Sequence, residues 1–182
     1  MNNIGKFHIV SKEEFIEDSM KYVHDKFCEA YHIVHDDAEV FAEMVERAYE
    51  RVEIPVRKTR GSAGYDFKAT FDMVLQPGDT MMFPTGLRVE ILDEGWCLLI
   101  IPRSSTGNKG MWLMNVVGLI DSDYFYSDNE GHFFVGIKNT SNAEMVIAAG
   151  DRIAQGVFFP LGYADEEEVT AVRNGGHGST GK

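Results

Sequence analysis

The sequence predicts a mainly β fold, an antiparallel sandwich or barrel of short strands, with an α-helical hairpin inserted near the N-terminus. Three observations carry this expectation. From Pro55 onward, turn-forming clusters recur about every ten residues, at QPGD (76), FPTG (83), DEGW (93), NTSNA (139) and AAGD (148). Between them lie short β-rich runs. By contrast, residues 11–53 carry apolar residues at helical spacing with neither Gly nor Pro among them.

Taken in order, Phe7 to Val10 is a first strand, which places the helical segment between strands. Ser11 followed by Glu14 is a capping box, and Ile16, Met20, Val23, Phe27, Ala30, Tyr31 and Val34 continue as one helical stripe. Asp36 with Glu39 offers a second start for Val40, Phe41, Met44, Val45, Ala48, Tyr49 and Val52, which Pro55 ends. Two such stripes bury their apolar faces best against each other or against the β domain. Leu87 to Leu92 alternates apolar residues with Arg88 and Glu90. Cys97 to Ile101 is a continuous apolar strand, and Phe133 to Ile137 and Ile153 to Phe159 are aromatic or β-branched. The expected organisation is a first strand (1–10), an inserted helical hairpin (11–53), a β-barrel (54–164) and a C-terminal arm (165–182).

At 182 residues the chain buries a sizeable core. Its net charge of −12, from 29 acidic against 17 basic residues, excludes an extended nucleic-acid or acidic-lipid surface, though a few converging cations would suffice for a small anion. Cys28 and Cys97 are too isolated for a disulfide framework or a thiolate metal site. No apolar leader or long apolar run occurs, so no membrane segment is expected and the localisation implied is cytoplasmic. His32, His35 and Asp36 resemble a zinc set only loosely and read as solvated residues at a helix break.

Four stretches place polar residues in unusual company. GSAGYDF (61–67) sets Asp66 behind small residues, as a turn carboxylate or as something more. PRSSTGNKG (102–110) puts Arg103, Ser104 and Ser105 directly after a buried strand, as a surface loop or an anion-binding turn. NVVGLIDSDYF (115–125) carries Asp121 and Asp123 two apart, which on an extended strand would share one side and raise one carboxyl toward general-base duty. GDRIAQ (150–155) is a turn into a strand with Arg152 and Gln155 at the surface. The tail GGHGSTGK also shows GxxxxGK spacing, but lacks the Ser or Thr and the helix that a P-loop requires.

In their order and spacing, GSAGYDF, PRSSTG, NVVGLIDSDY, GDRIAQ and RNGGHGSTG resemble the five motifs of the trimeric dUTPase family, over about residues 55–182. The resemblance implies a jelly-roll-like β-barrel and a homotrimer with active sites shared between chains. It implies hydrolysis of dUTP to dUMP and pyrophosphate with Mg²⁺. Asp121 is implied as the general base for in-line attack on the α-phosphorus, Gln155 as a water-positioning group, and Asp66 as a carboxylate bonded to water on a Mg²⁺ ion held mainly by the triphosphate. Arg103, Ser104 and Ser105 are implied on the phosphates. Asn115, Gly118 and the hairpin that follows are implied on uracil, with Tyr124 against the deoxyribose. Of the fifth motif, His177 falls over uracil, while Arg173, Ser179 and Thr180 reach the γ-phosphate from an arm that ligand orders.

Three features depart from that pattern: the helices of 11–53, the lengthened loop FYSDNEGH after Tyr124, and Ser105 where Gly is commonest. Two alternatives are a dCTP deaminase-like enzyme of the same fold and a regulatory protein that binds a partner through the inserted helices. The deaminases carry a Glu in the strand after the third motif, where this chain has Gly136.

Overall fold

A computed structural model of the protein describes residues 3–31 and 38–165. Along them run β1 (Gly5–Ile9), α1 (Lys12–Tyr22), α2 (His24–Tyr31), α3 (Ala38–Glu50), β2 (Tyr65–Lys68), β3 (Met73–Leu75), β4 (Thr80–Pro84), β5 (Leu87–Ile91) and β6 (Trp96–Ile101). There follow α4 (Ser104–Gly107), β7 (Met111–Leu113), β8 (Gly118–Ile120), a 3-10 turn (Ser122–Tyr126), β9 (Phe134–Asn139), β10 (Met145–Ile147) and β11 (Arg152–Pro160). All pairings are antiparallel, in the orders β2-β11-β6-β8, β4-β9-β7, β3-β10 and β1-β5. The mainly β expectation holds. Strands of three residues such as β3, β7, β8 and β10 are too short to show a period of two, so the sequence alone did not single them out.

The core is continuous. Phe67, Leu98 and Ile153 from the four-stranded sheet meet Phe83, Val135 and Ile137 from the three-stranded sheet. The same cluster takes in Phe15, Val23, Phe41, Val45 and Ala48 of the helical segment, all nearly or fully buried. Phe15 stacks on Phe71 at 6.1 Å and meets Tyr49 at 5.6 Å, and the Tyr49 hydroxyl donates to the Val10 carbonyl at 2.9 Å. Burying one such aromatic stabilises by about 1.5–3 kcal/mol, so the helices are part of the barrel's core and not an appended unit.

Two helical expectations are corrected. The first stripe is broken at Val23, where the chain turns and sends Phe27 against Phe41 of α3 at 5.7 Å. Ser11 Oγ does accept the Glu14 amide at 3.2 Å, but the reciprocal half of the capping box comes from elsewhere. The Ser11 amide donates to Glu130 Oε2 at 2.9 Å, from the lengthened loop. Arg88 on β5 pins that loop: its guanidinium lies 3.7 Å from the Phe125 ring centroid, donates to the Phe125 carbonyl at 2.7 Å and faces Glu130 at 3.7 Å. Thus two of the three departures from the family pattern, the helices and the long loop, pack on each other. The stretch 32–37, with His32, His35 and Asp36, lies outside the described residues.

Freed from capping, Glu14 joins Asp18 and His132 in a tight cluster. Burial, and then the charge and hydrogen bonding of Asp18, push its carboxyl up to about 7 from 4.5, with Glu17 and Glu130 adding to the effect. A folded-state value above the unfolded one means that the folded chain binds more protons between those limits. The contribution of Glu14 to stability is therefore fully present below about 4.5 and is lost as pH rises through about 7. Glu14→Gln is expected to raise the melting temperature at pH 8 by about 2–4 °C, the shift that 1 kcal/mol produces at this size, with little change at pH 5. Equal melting of both proteins at pH 8 would refute this account of Glu14.

Candidate active site

Three of the polar motifs converge at one end of the four-stranded sheet. On β2 the alternation sends Phe67 into the core and leaves Asp66 half-buried at the surface. Asp66 lies opposite Gln155 in the β2–β11 ladder. Arg103, leaving β6, donates from Nε to Asp66 Oδ1 at 2.7 Å, and Arg152 donates from Nη1 to Oδ2 at 3.1 Å. Gln155 donates from Nε2 to the Pro102 carbonyl at 3.1 Å. Its side chain fills the space beside Gly64, where a Cβ would collide with Gln155 Oε1. Of the small residues in GSAG, Gly64 is thus the one that makes room for the Gln155 side chain, while Gly61 has open space around it.

Sequence reasoning missed Arg152 as a site residue. Arg152 and Gln155 are three apart, which puts them on opposite faces of a regular strand. A register shift between Arg152 and Ala154 brings Arg152 opposite Lys68 and Gln155 opposite Asp66, hence onto one face. The Asp66 carboxylate then holds two guanidiniums side by side, a spacing suited to phosphate oxygens.

Beyond Arg103, the RSSTG stretch is a single helical turn, α4. Ser104 and Ser105 are exposed, and Thr106 is buried with its hydroxyl donating to the Arg103 carbonyl at 2.8 Å. Ser105 Oγ accepts from Arg103 Nη1 at 3.2 Å. A cleft of about 600 Å³ opens here, lined by Arg103, Ser105, Lys109 and Arg152 among others. On a chain of net charge −12, its lining of Arg103, Lys109 and Arg152 against Glu144 and Asp151 is locally positive.

Asn115 is exposed in the turn between β7 and β8, where Val116 adopts φ +61°, and Gly118 is buried against Ile100. Asp121 follows β8 in extended conformation and leads into the 3-10 turn. This corrects the expectation that Asp121 and Asp123 share one side of a strand, because the turn at Ser122 separates them. Tyr124 is buried, 6% exposed, with its hydroxyl donating to the His132 carbonyl at 2.7 Å. Burial and that bond fix the ring in place.

Asp121 does not lie with the Asp66 cluster. In the β6–β8 ladder Ile120 is opposite Leu98, so Asp121 falls beside Cys97, whose thiol is pushed up by burial and secondarily by the Asp121 charge. Cys97 to Arg103 is six residues of mostly extended chain, or about 20 Å. One chain therefore presents two half-sites at opposite ends of β6. Arg173, His177, Ser179 and Thr180 lie outside the described residues.

At Asp66 both carboxylate oxygens accept from guanidiniums, so the residues there build no cation cage of their own; among the described residues the one set close enough to cage a metal is Glu14, Asp18 and His132, on another part of the molecule. A Mg²⁺ ion at Asp66 fits if it brings phosphate and water ligands with it. A deaminase-type carboxylate at position 136 does not fit: in β9, a Cβ at Gly136 would meet the Met82 sulfur at 2.8 Å and the Met114 sulfur at 3.0 Å.

The family model described as dUTPase matches residues 50–182. The deoxyuridine 5'-triphosphate nucleotidohydrolase of Lactococcus lactis subsp. lactis (strain IL1403) is 43% identical over 134 residues, covering 71% of this chain and 89% of that protein. Among solved structures, the dUTPase from Streptococcus mutans aligns with a TM-score of 0.56 at 38% identity over 62% of this chain and 88% of that one. A mutant dUTPase from phage phi11 of S. aureus, which coordinates a structural Mg(II) ion, shares the fold at a TM-score of 0.56 and 22% identity, over 69% of this chain and 94% of that one. The match leaves β1 and almost all of the three helices outside the family model, and it spans every motif of the site: the chain belongs to the dUTPase family.

Proposed function

We propose that the protein hydrolyses dUTP to dUMP and pyrophosphate at sites composed between chains of a homotrimer. The observation that carries this reading is the pair of half-sites at opposite ends of β6, one with Asp66, Arg103, Arg152 and Gln155, the other with Asp121 and Tyr124. Neither half is sufficient alone, and a second copy of the chain supplies the complement. Relatives named for dUTP hydrolysis support the substrate.

The roles follow from position. Asp121 takes a proton from a water whose oxygen attacks the α-phosphorus in line, and the bond to the β-phosphate oxygen breaks to release pyrophosphate. Gln155 orients the water. Arg103, Arg152, Ser104 and Ser105 neutralise and hold the phosphates. Asn115 and the turn to Gly118 bond the uracil edge, and Tyr124 closes the space that a 2′-hydroxyl needs. Arg173, Ser179 and Thr180 complete the γ-phosphate contacts, and His177 covers the base. Asp66 would hold a Mg²⁺ ion through water, and the ion would supply charge neutralisation and phosphate alignment.

The apolar faces of the helices are spent on the barrel core, which favours an internal role for them over a partner-binding one. In the same reading the enzyme works in the cytoplasm, on free nucleotide.

The direct test is pyrophosphate release from dUTP beside the eight common nucleoside triphosphates, each with Mg²⁺. Release from dUTP alone, with dTTP and UTP poor substrates, is expected. A deoxyuridine nucleotide formed from dCTP, detected by mass spectrometry, would overturn the assignment in favour of deamination.

A further inference from the structure

We propose that Asp18 and His132 are positioning residues for Tyr124, so that helix α1 sets how strictly the active site rejects a ribonucleotide. The proposal rests on the reading of Tyr124 as the wall against the deoxyribose. Rejection by shape works only if the wall does not yield, since a ring that withdraws by about the width of a hydroxyl would admit UTP.

The Tyr124 ring is held through its oxygen. Its hydroxyl donates to the His132 carbonyl at 2.7 Å and accepts from Asn129 Nδ2 at 3.0 Å, and Asn129 also donates to that carbonyl at 2.9 Å. The carbonyl's position therefore sets the ring's. His132 is clamped in turn. Its imidazole is fully buried, Nε2 accepts the Gly86 amide at 2.9 Å, and Nδ1 lies 2.6 Å from Asp18 Oδ2. Because Nε2 is an acceptor, the ring's single proton sits on Nδ1 and is donated to Asp18. The same assignment removes Nδ1 as a metal donor, so the Glu14, Asp18 and His132 cluster is a hydrogen-bonded strut and not a cation site.

The approach is built into the loop. Glu130 and Gly131 both take positive φ, +55° and +70°, and a Cβ at Gly131 would lie 2.6 Å from the Tyr124 carbonyl oxygen. Residues 130–132 thus cross close over Tyr124, held from the barrel by Arg88 and the Gly86 amide and from α1 and its cap by the Ser11 amide on Glu130 and the Asp18 carboxylate on His132. The segment outside the family match is in this way connected, through two side chains and one carbonyl, to a wall of the sugar pocket.

The test compares kcat/KM for dUTP and for UTP. Asp18→Ala is expected to lower the dUTP-over-UTP ratio about fivefold, the worth of one hydrogen bond, chiefly by raising kcat/KM for UTP. Asp18→Asn restores the ratio, because its amide oxygen still accepts from Nδ1. Tyr124→Phe removes only the hydroxyl, lowers the ratio to the same extent, and carries the test should Asp18→Ala fail to fold. The double variant Asp18→Ala/Tyr124→Phe loses no more than either single, as groups on one path must. A pair that merely stabilised the fold would lower both substrates together, and an unchanged ratio in Asp18→Ala or Tyr124→Phe overturns the proposal. Tyr124→Ala separates the two readings. If it collapses the ratio while those variants spare it, the positioning role alone fails; if it spares the ratio, the wall reading of Tyr124 fails and takes the proposal with it.

Discussion

Asp121→Asn is expected to reduce kcat for dUTP at least about a hundredfold, equivalent to about 2.7 kcal/mol of transition-state stabilisation, while dUTP still binds. The substitution is nearly isosteric. Asp121 sits in extended backbone where β8 gives way to the 3-10 turn, a conformation that Asn adopts equally well. The amide offers a lone pair to a water but does not take its proton at neutral pH. What is lost is therefore the chemical step and not the pocket, so KM should change little while kcat falls. Single-turnover kinetics with a non-hydrolysable dUTP analogue as binding control would measure the two separately. Near-normal turnover would remove Asp121 from the role of base and point to another group at the Cys97 end of β6.

Two inactive proteins are expected to restore each other. Asp121→Asn disables one end of β6 and Arg103→Ala the other, so each protein alone has only defective sites. After unfolding and joint refolding at equal concentration, a site built from two chains is intact when the Asp121 half comes from the Arg103 variant and the Arg103 half from the Asp121 variant. Random assembly gives roughly a quarter of sites in that state, so activity should rise to about 25% of the unaltered protein. If both halves of a site belonged to one chain, every site would retain one defect and mixing would change nothing. That null result would contradict the placement of Asp121 and Arg103 about 20 Å apart along extended β6.

Much of the barrel was legible in the sequence because half-buried strands leave a period of two. Leu87, Val89 and Ile91 turn inward from β5 while Arg88 and Glu90 stay outside, as their alternation indicates. The helical texture of residues 11–53 was equally plain, but not its break at Val23, since no Gly or Pro marks it and the turn answers to packing against α3. The capping box shows the limit well. Ser11 and Glu14 have the right spacing, yet Glu130, distant in sequence, takes the Ser11 amide, and Glu14 goes to Asp18.

At the site, the sequence by itself determined the residue types, their order and the family, because each motif is a local requirement: small residues beside Gln155, a cation after a buried strand, a carboxylate after a short apolar run. Tertiary structure decided which of them meet. The shift in β11 that brings Arg152 beside Gln155 and the antiparallel β6–β8 ladder that sends Asp121 away from Arg103 both depend on register. Register is a relation between segments far apart in the chain, and side-chain spacing along one segment constrains which face is buried without naming the partner residue. The link from α1 through His132 to Tyr124 is of the same kind, invisible until the loop has crossed the wall it supports.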